Sequence, residues 1–93
     1  MIRSFRCRET ERIFNRQRSP KLPQQIQRVT LRKLRMIDAA TTLIDLQIPP
    51  ANRLEKLGCD RKGTYSIRIN DQYRLCFKWR DGDAYEVEVV DYH

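Results

Sequence analysis

Residues 64–93 read TYSIRINDQYRLCFKWRDGDAYEVEVVDYH, and the alternation in this stretch sets the fold. Tyr65, Ile67 and Ile69 recur at every second position, as do Tyr73, Leu75, Phe77 and Trp79, while Arg74, Cys76, Lys78 and Arg80 fill the places between. A period of two belongs to strands with one buried face. Asn70-Asp71-Gln72 and Asp81-Gly82-Asp83 interrupt the runs with residues that favour turns. Beyond the second turn, Tyr85, Val87 and Val89 alternate with Glu86, Glu88 and Val90. The pattern predicts three consecutive antiparallel strands with a single apolar side.

Something upstream must cover that side. The short apolar-polar alternation at 2–5 predicts an N-terminal strand, and RETERIFNR at 8–16 predicts a brief helix that ends before Pro20. From Pro23 onward, Ile26, Val29, Leu34, Ile37 and Ala40 fall on one helical face, with Arg28, Arg32, Lys33 and Arg35 mostly off it. PPANRLEKLGCDRKG at 49–63 opens on two prolines and holds Gly58 and Gly63, so it reads as a loop with a short extended piece at 53–57. The loop carries Arg53, Lys56, Arg61 and Lys62. These are either a rim that contacts phosphate or ordinary solvated side chains. The expected fold is α+β, an N-terminal strand and two helices packed on one face of a mainly antiparallel sheet, with 1–93 forming one domain.

Ninety-three residues, 40% of them hydrophobic, suffice for one small core. No apolar run approaches the roughly 20 residues of a membrane span, and the start of the chain leads into arginines rather than a signal-peptide core. A cytoplasmic protein with no membrane association is expected. Cys7, Cys59 and Cys76 are odd in number and far apart, and His93 is the sole histidine, so reduced packing thiols are expected, with no metal site and no cofactor. A phosphate-binding glycine loop, a dinucleotide fingerprint and a nucleophile elbow are all missing, which leaves nucleotide hydrolysis, redox chemistry and acyl transfer without support. The net charge is +7, made of +9 over residues 1–35 (eleven basic, two acidic) and −2 over 36–93 (eight basic, ten acidic). Such an excess suits a polyanion or an acidic protein partner, and it also suits a helix face that is merely solvated.

On the polar side of the meander, Ser66, Arg68, Arg74, Lys78 and Tyr92 share one parity, with Glu86 and Glu88 among them. That face is either a cation-lined site or a surface of cross-strand ion pairs. Asp91 and His93 flank Tyr92 at the end of the last strand. An imidazole near a carboxylate is material for acid-base work near neutral pH, and a frayed terminus is the plain alternative. If the trio is functional, it best fits RNA cleavage by the 2′-hydroxyl. One group takes the hydroxyl proton, cations meet the charge on the phosphate, and an acid protonates the leaving 5′-oxygen, without a metal.

MIRSF at 1–5, RKLRMIDAAT at 32–41, NRLEKL at 52–57 and DRKGTYSIRINDQYRLCFKWRDGDAYEVEVVDYH at 60–93 together resemble the HigB toxins of bacterial toxin-antitoxin modules, within the RelE/ParE superfamily. The resemblance runs nearly end to end. It implies a RelE-like fold and a ribosome-dependent mRNA endonuclease that acts in the ribosomal A site, with a HigA-type helix-turn-helix antitoxin as partner and operator DNA reached only through that antitoxin. It also implies that Asp91, Tyr92 and His93 form the family's C-terminal catalytic motif, that Arg74 is a superfamily active-site arginine, and that Arg68 binds phosphate. Some HigB toxins carry a histidine and a lysine in the loop where this chain has Glu55 and Gly58, which makes Glu55 a candidate base or a solvated carboxylate. Two other readings stay open here: a ParE-like toxin directed at DNA gyrase, and a binding module without catalysis.

Overall fold

In the computed structural model, which describes residues 1–56 and 63–91, the predicted meander is present with a fourth, minor strand at its edge. The strands are β1 (Glu55–Lys56), β2 (Thr64–Arg68), β3 (Tyr73–Arg80) and β4 (Asp83–Asp91), antiparallel and in that spatial order. Each connection follows from local chemistry. Asn70 Oδ1 accepts from the backbone N–H groups of Gln72 (2.9 Å) and Tyr73 (2.8 Å) and so closes the β2–β3 turn. Asp81 (φ 52°) and Gly82 (φ 80°) are both left-handed between the paired Arg80 and Asp83, the backbone of a type I′ hairpin whose twist matches that of its strands.

One apolar face of the sheet packs on the helices. These are α1 (Arg8–Phe14), α2 (Gln24–Ala39) and α3 (Leu43–Gln47). Leu34 and Ile37 from α2 meet Ile67, Leu75, Phe77 and Val87 from the sheet, all essentially inaccessible to water. Burying a side chain of this size stabilises by roughly 1.5–3 kcal/mol, so this seam dominates the fold. Helix α3 was not anticipated. Asp45 reaches back to accept from the backbone N–H of Thr41 (3.0 Å) and of Thr42 (3.1 Å), and Leu46 enters the core. Those backbone hydrogen bonds hold the Asp45 carboxyl below its ordinary range.

Three expectations need correction. The N-terminal residues do not form a full strand. They run parallel to β4 through isolated bridges, Ile2 to Ala84 and Phe5 to Val87. Tyr85 does not share a face with Val87 and Val89. Between the pairs Cys76–Glu88 and Lys78–Tyr85 β4 holds one extra residue, a bulge in which Glu86 takes φ 52°. Its N–H is received by Ser4 Oγ at 2.9 Å. Past the bulge the parity inverts, so Tyr85 lies opposite Lys78, with the Arg80 guanidinium 4.9 Å from its ring centre. Finally, Lys33 is buried rather than off the apolar stripe, because Thr30, Lys33, Leu34 and Ile37 follow one another at core-facing spacing on α2.

Candidate active site

The hairpin register sets Arg68, the last residue of β2, directly opposite Arg74, the second of β3. Two guanidiniums facing each other across a sheet repel, and such a pair persists where other groups compensate. Here the compensation is explicit. Arg74 is nearly buried (9% exposed). Its Nε donates to Ser66 Oγ at 2.8 Å, and Nη2 donates to the Arg53 carbonyl at 2.6 Å and to the Ser66 carbonyl at 3.3 Å. Only Nη1 is left to look outward, and it stands 3.9 Å from Glu55 Oε1. Arg68 is held by Asp71, three residues along in the turn, whose carboxylate is otherwise fully exposed.

These groups surround one cavity of about 270 Å³, lined by Arg53, Glu55, Arg68, Asn70, Asp71 and Arg74. Three guanidiniums against two carboxylates leave an excess of one positive charge. The floor is rigid, since Arg74 is fixed by three hydrogen bonds, while the acidic groups sit at the rim. Arg53 takes a left-handed backbone (φ 43°, ψ 58°), uncommon for a residue with a Cβ, and that conformation presents its carbonyl to Arg74. An oxyanion fits such a place, with fixed donors below and displaceable carboxylates beside it.

Of the residues expected to act, Arg53, Glu55, Arg68 and Arg74 therefore converge on one cavity. Two do not join them. Lys56 pairs with Tyr65 while Glu55 pairs with Ser66, so the pleat turns the lysine to the opposite face. Asp91 pairs with Tyr73 and accepts from Gln72 Nε2 at 3.2 Å, and it does not line the cavity; its neighbour Val90 is the residue opposite Arg74. Arg61, Lys62, Tyr92 and His93 lie outside the described residues, as do Gly58 and Cys59. Asp71 was not singled out as a site residue, although the turn signal at 70–72 located it; Ser66, which the alternation sets on the same side as Arg68 and Arg74, contributes a buried hydroxyl that accepts from Arg74.

The family model for the RelE-like toxin of the type II toxin-antitoxin system HigB matches residues 3–93. This chain belongs to that family. Among curated HigB relatives, it is 51% identical over 63 residues to Toxin HigB-1 of Vibrio cholerae, covering 68% of this chain and 66% of that protein. It is 44% identical over 64 residues to an uncharacterized protein of Haemophilus influenzae, covering 69% of this chain and 63% of the other. These matched stretches thus span just under two thirds of those two proteins. Endoribonuclease HigB of Proteus vulgaris aligns over the full length of both chains at 33% identity. The fold of this HigB-family chain also matches the solved YoeB dimer of Staphylococcus aureus (TM-score 0.60, 22% identity, 99% of this chain and 94% of that one). The YoeB–YefM complex of the same organism gives a TM-score of 0.59 at 22% identity, over 100% and 95% of the two chains. The helices-on-antiparallel-sheet arrangement is therefore the RelE-like one that the sequence led us to expect.

Proposed function

We propose that this HigB-family toxin is an endoribonuclease that cuts translated mRNA in the ribosomal A site without a metal ion, its scissile phosphate seated between Arg68 and Arg74. The observation that carries the reading is the convergence of those two guanidiniums with Arg53 and Glu55 on one cavity. The Proteus vulgaris relative, aligned over its full length, is named an endoribonuclease, and that supports the same chemistry here.

In this mechanism the phosphate takes the place of Asp71 on Arg68 and meets the outward Nη1 of Arg74. The charge that builds on the phosphoryl oxygens as the 2′-oxygen attacks is then met by donors already in position, so little reorganisation is needed as the reaction proceeds. In this reading the two guanidiniums supply the charge stabilisation that a metal ion could otherwise supply. His93 and Tyr92 follow Asp91, the last residue of β4, and we assign them the proton transfers to and from the 2′- and 5′-oxygens. Glu55 at the rim is the alternative base. Arg53, Arg61 and Lys62 would contact the flanking RNA backbone.

The partner we assign is a HigA-type helix-turn-helix antitoxin that presents an acidic surface to the arginines of α1 and α2 and need not cover the cavity. A YoeB toxin of the same fold is solved in complex with YefM, and the +9 charge of residues 1–35 suits an acidic counterpart. Operator DNA would be reached through the antitoxin.

The test is induction in cells with transcript ends mapped, alongside purified toxin on programmed ribosomes. Wild type should arrest growth and leave cuts within translated codons. Arg74→Ala should lower the single-turnover cleavage rate at least about a hundredfold, the order seen when a charge-stabilising donor is removed, while the variant still folds and sediments with ribosomes. Undiminished cutting by Arg74→Ala and by Arg68→Ala would refute the seating of the scissile phosphate between them, and growth arrest with intact transcripts would refute the nuclease reading and point to a toxin that only binds.

A further inference from the structure

Lys33 is a poor choice for its place in the core. It lies on α2 at 4% exposure, among Thr30, Leu34 and Ile37, and its Nζ donates to a neutral acceptor, Asn52 Oδ1, at 2.5 Å. Burial is the largest influence lowering its pKa, followed by the charges of Arg32 and Arg68. A methionine would fill much the same space without the cost of taking an ammonium out of water, so the amine must do something that packing alone does not require.

Its contacts lead to the cavity. Asn52, fully buried, receives Lys33 on its oxygen and donates from Nδ2 to the Leu46 carbonyl at 3.0 Å. It is the last residue of the short 3-10 turn Pro50–Asn52, and the next residue is Arg53, with its left-handed backbone. The Arg53 carbonyl is the acceptor that fixes Arg74 Nη2 at 2.6 Å. An unbroken series thus runs from the helix layer to the guanidinium on the other face: Lys33, Asn52, the Arg53 carbonyl, Arg74. With the Asn52 side chain clamped at both ends, the turn cannot rotate to relax Arg53 into a commoner conformation. That relaxation would swing the carbonyl away and leave Arg74 with Ser66 alone.

We propose that Lys33 is a positioning residue for Arg74, acting through Asn52 and the Arg53 carbonyl to hold the guanidinium where a pentacoordinate phosphate needs it. This rests on Arg74 being the phosphate-stabilising group. The action is on the transition state and not on RNA capture, so it should appear in the rate at saturation and leave affinity nearly untouched.

The experiment is a double-mutant cycle on the full chain, measuring single-turnover cleavage at saturating programmed ribosomes, affinity for those ribosomes and thermal melting. Lys33→Met should lower the rate by about tenfold to a hundredfold, the scale of a misplaced catalytic group, with affinity changed by less than about threefold. Lys33→Arg, which keeps a charged donor for Asn52, should regain most of that loss. In the Arg74→Ala background the residual rate should fall by less than about twofold further when Lys33→Met is added, since the effect passes through Arg74; a merely structural role would give the full loss again. Asn52→Ala approaches the same contact from its other partner and carries the test if Lys33→Met does not fold. Wild-type rates in the folded variants, or full losses that add to that of Arg74→Ala, would overturn the inference. If Arg74→Ala itself cleaves normally, the assignment of Arg74 falls, and the role of Lys33 falls with it.

Discussion

Arg68 and Arg74 face each other across a hairpin, and the nearest relief for Arg68 is a carboxylate three residues away that is otherwise in water. An exposed ion pair of this kind contributes little to stability. In the proposed mechanism its larger effect is on occupancy: Asp71 holds the Arg68 group that would receive the phosphate and must leave it first. Asp71→Asn should therefore tighten RNA binding by up to about fivefold, the range set by exposed pairs, read by fluorescence anisotropy, with melting temperature little changed. Weaker binding would mean that Asp71 orients Arg68 and does not compete with substrate. At this scale the alternation of residues 64–80 identified both arginines correctly as neighbours on the polar side of the sheet. Lys33 was misplaced because composition argued for solvent while position argued for the core; only the spacing from Thr30 to Ile37 carried the right answer.

The hairpin between β3 and β4 shows how an element depends on one glycine. Gly82 holds φ 80°, and a Cβ built there would lie 3.3 Å from the Thr41 carbonyl. Gly82→Ala should cost about 1–2 kcal/mol from the left-handed backbone alone, visible as a lower urea midpoint with an unchanged slope. An unchanged midpoint would mean that the turn has repacked. The strands, turns and the two longer helices were legible because each repeats a period or carries its own stop signal. The bulge was not. One extra residue in β4 leaves no mark on composition, yet it moves Tyr85 from the apolar face to the side of Lys78 and Arg80. Helix α3 is shorter than two turns, too brief for periodicity, and its Thr42–Asp45 capping pair was the available clue.

Across the whole molecule, the buried ammonium makes stability depend on alkali. Burial, then Arg32 and Arg68, disfavour the charged form of Lys33 in the folded state, so the folded chain gives up this proton at a lower pH than the unfolded chain does. Over that interval the unfolded state binds more protons, and stability rises with pH. Relative to Lys33→Met, the wild type should gain unfolding free energy as pH climbs through the alkaline range toward the ordinary lysine value of 10.5. Urea titrations at stepped pH would show it, and a constant difference between the two proteins would contradict it.

The seam between the first residues and β4 has a kinetic meaning as well. Ser4 joins Glu86 across 82 positions, and Thr10 joins Val89 across 79. Bringing together points so distant along a chain is entropically slow and comes after local turns and helices have formed. The β3–β4 ladder that sets Val90 beside Arg74 is itself a local hairpin, and the outer side of β4 is covered only when that closure is made. A chain still folding would hold its hairpin arginines without the finished scaffold around them, so the toxin should be harmless in its own adolescence and become dangerous only when its two ends have met.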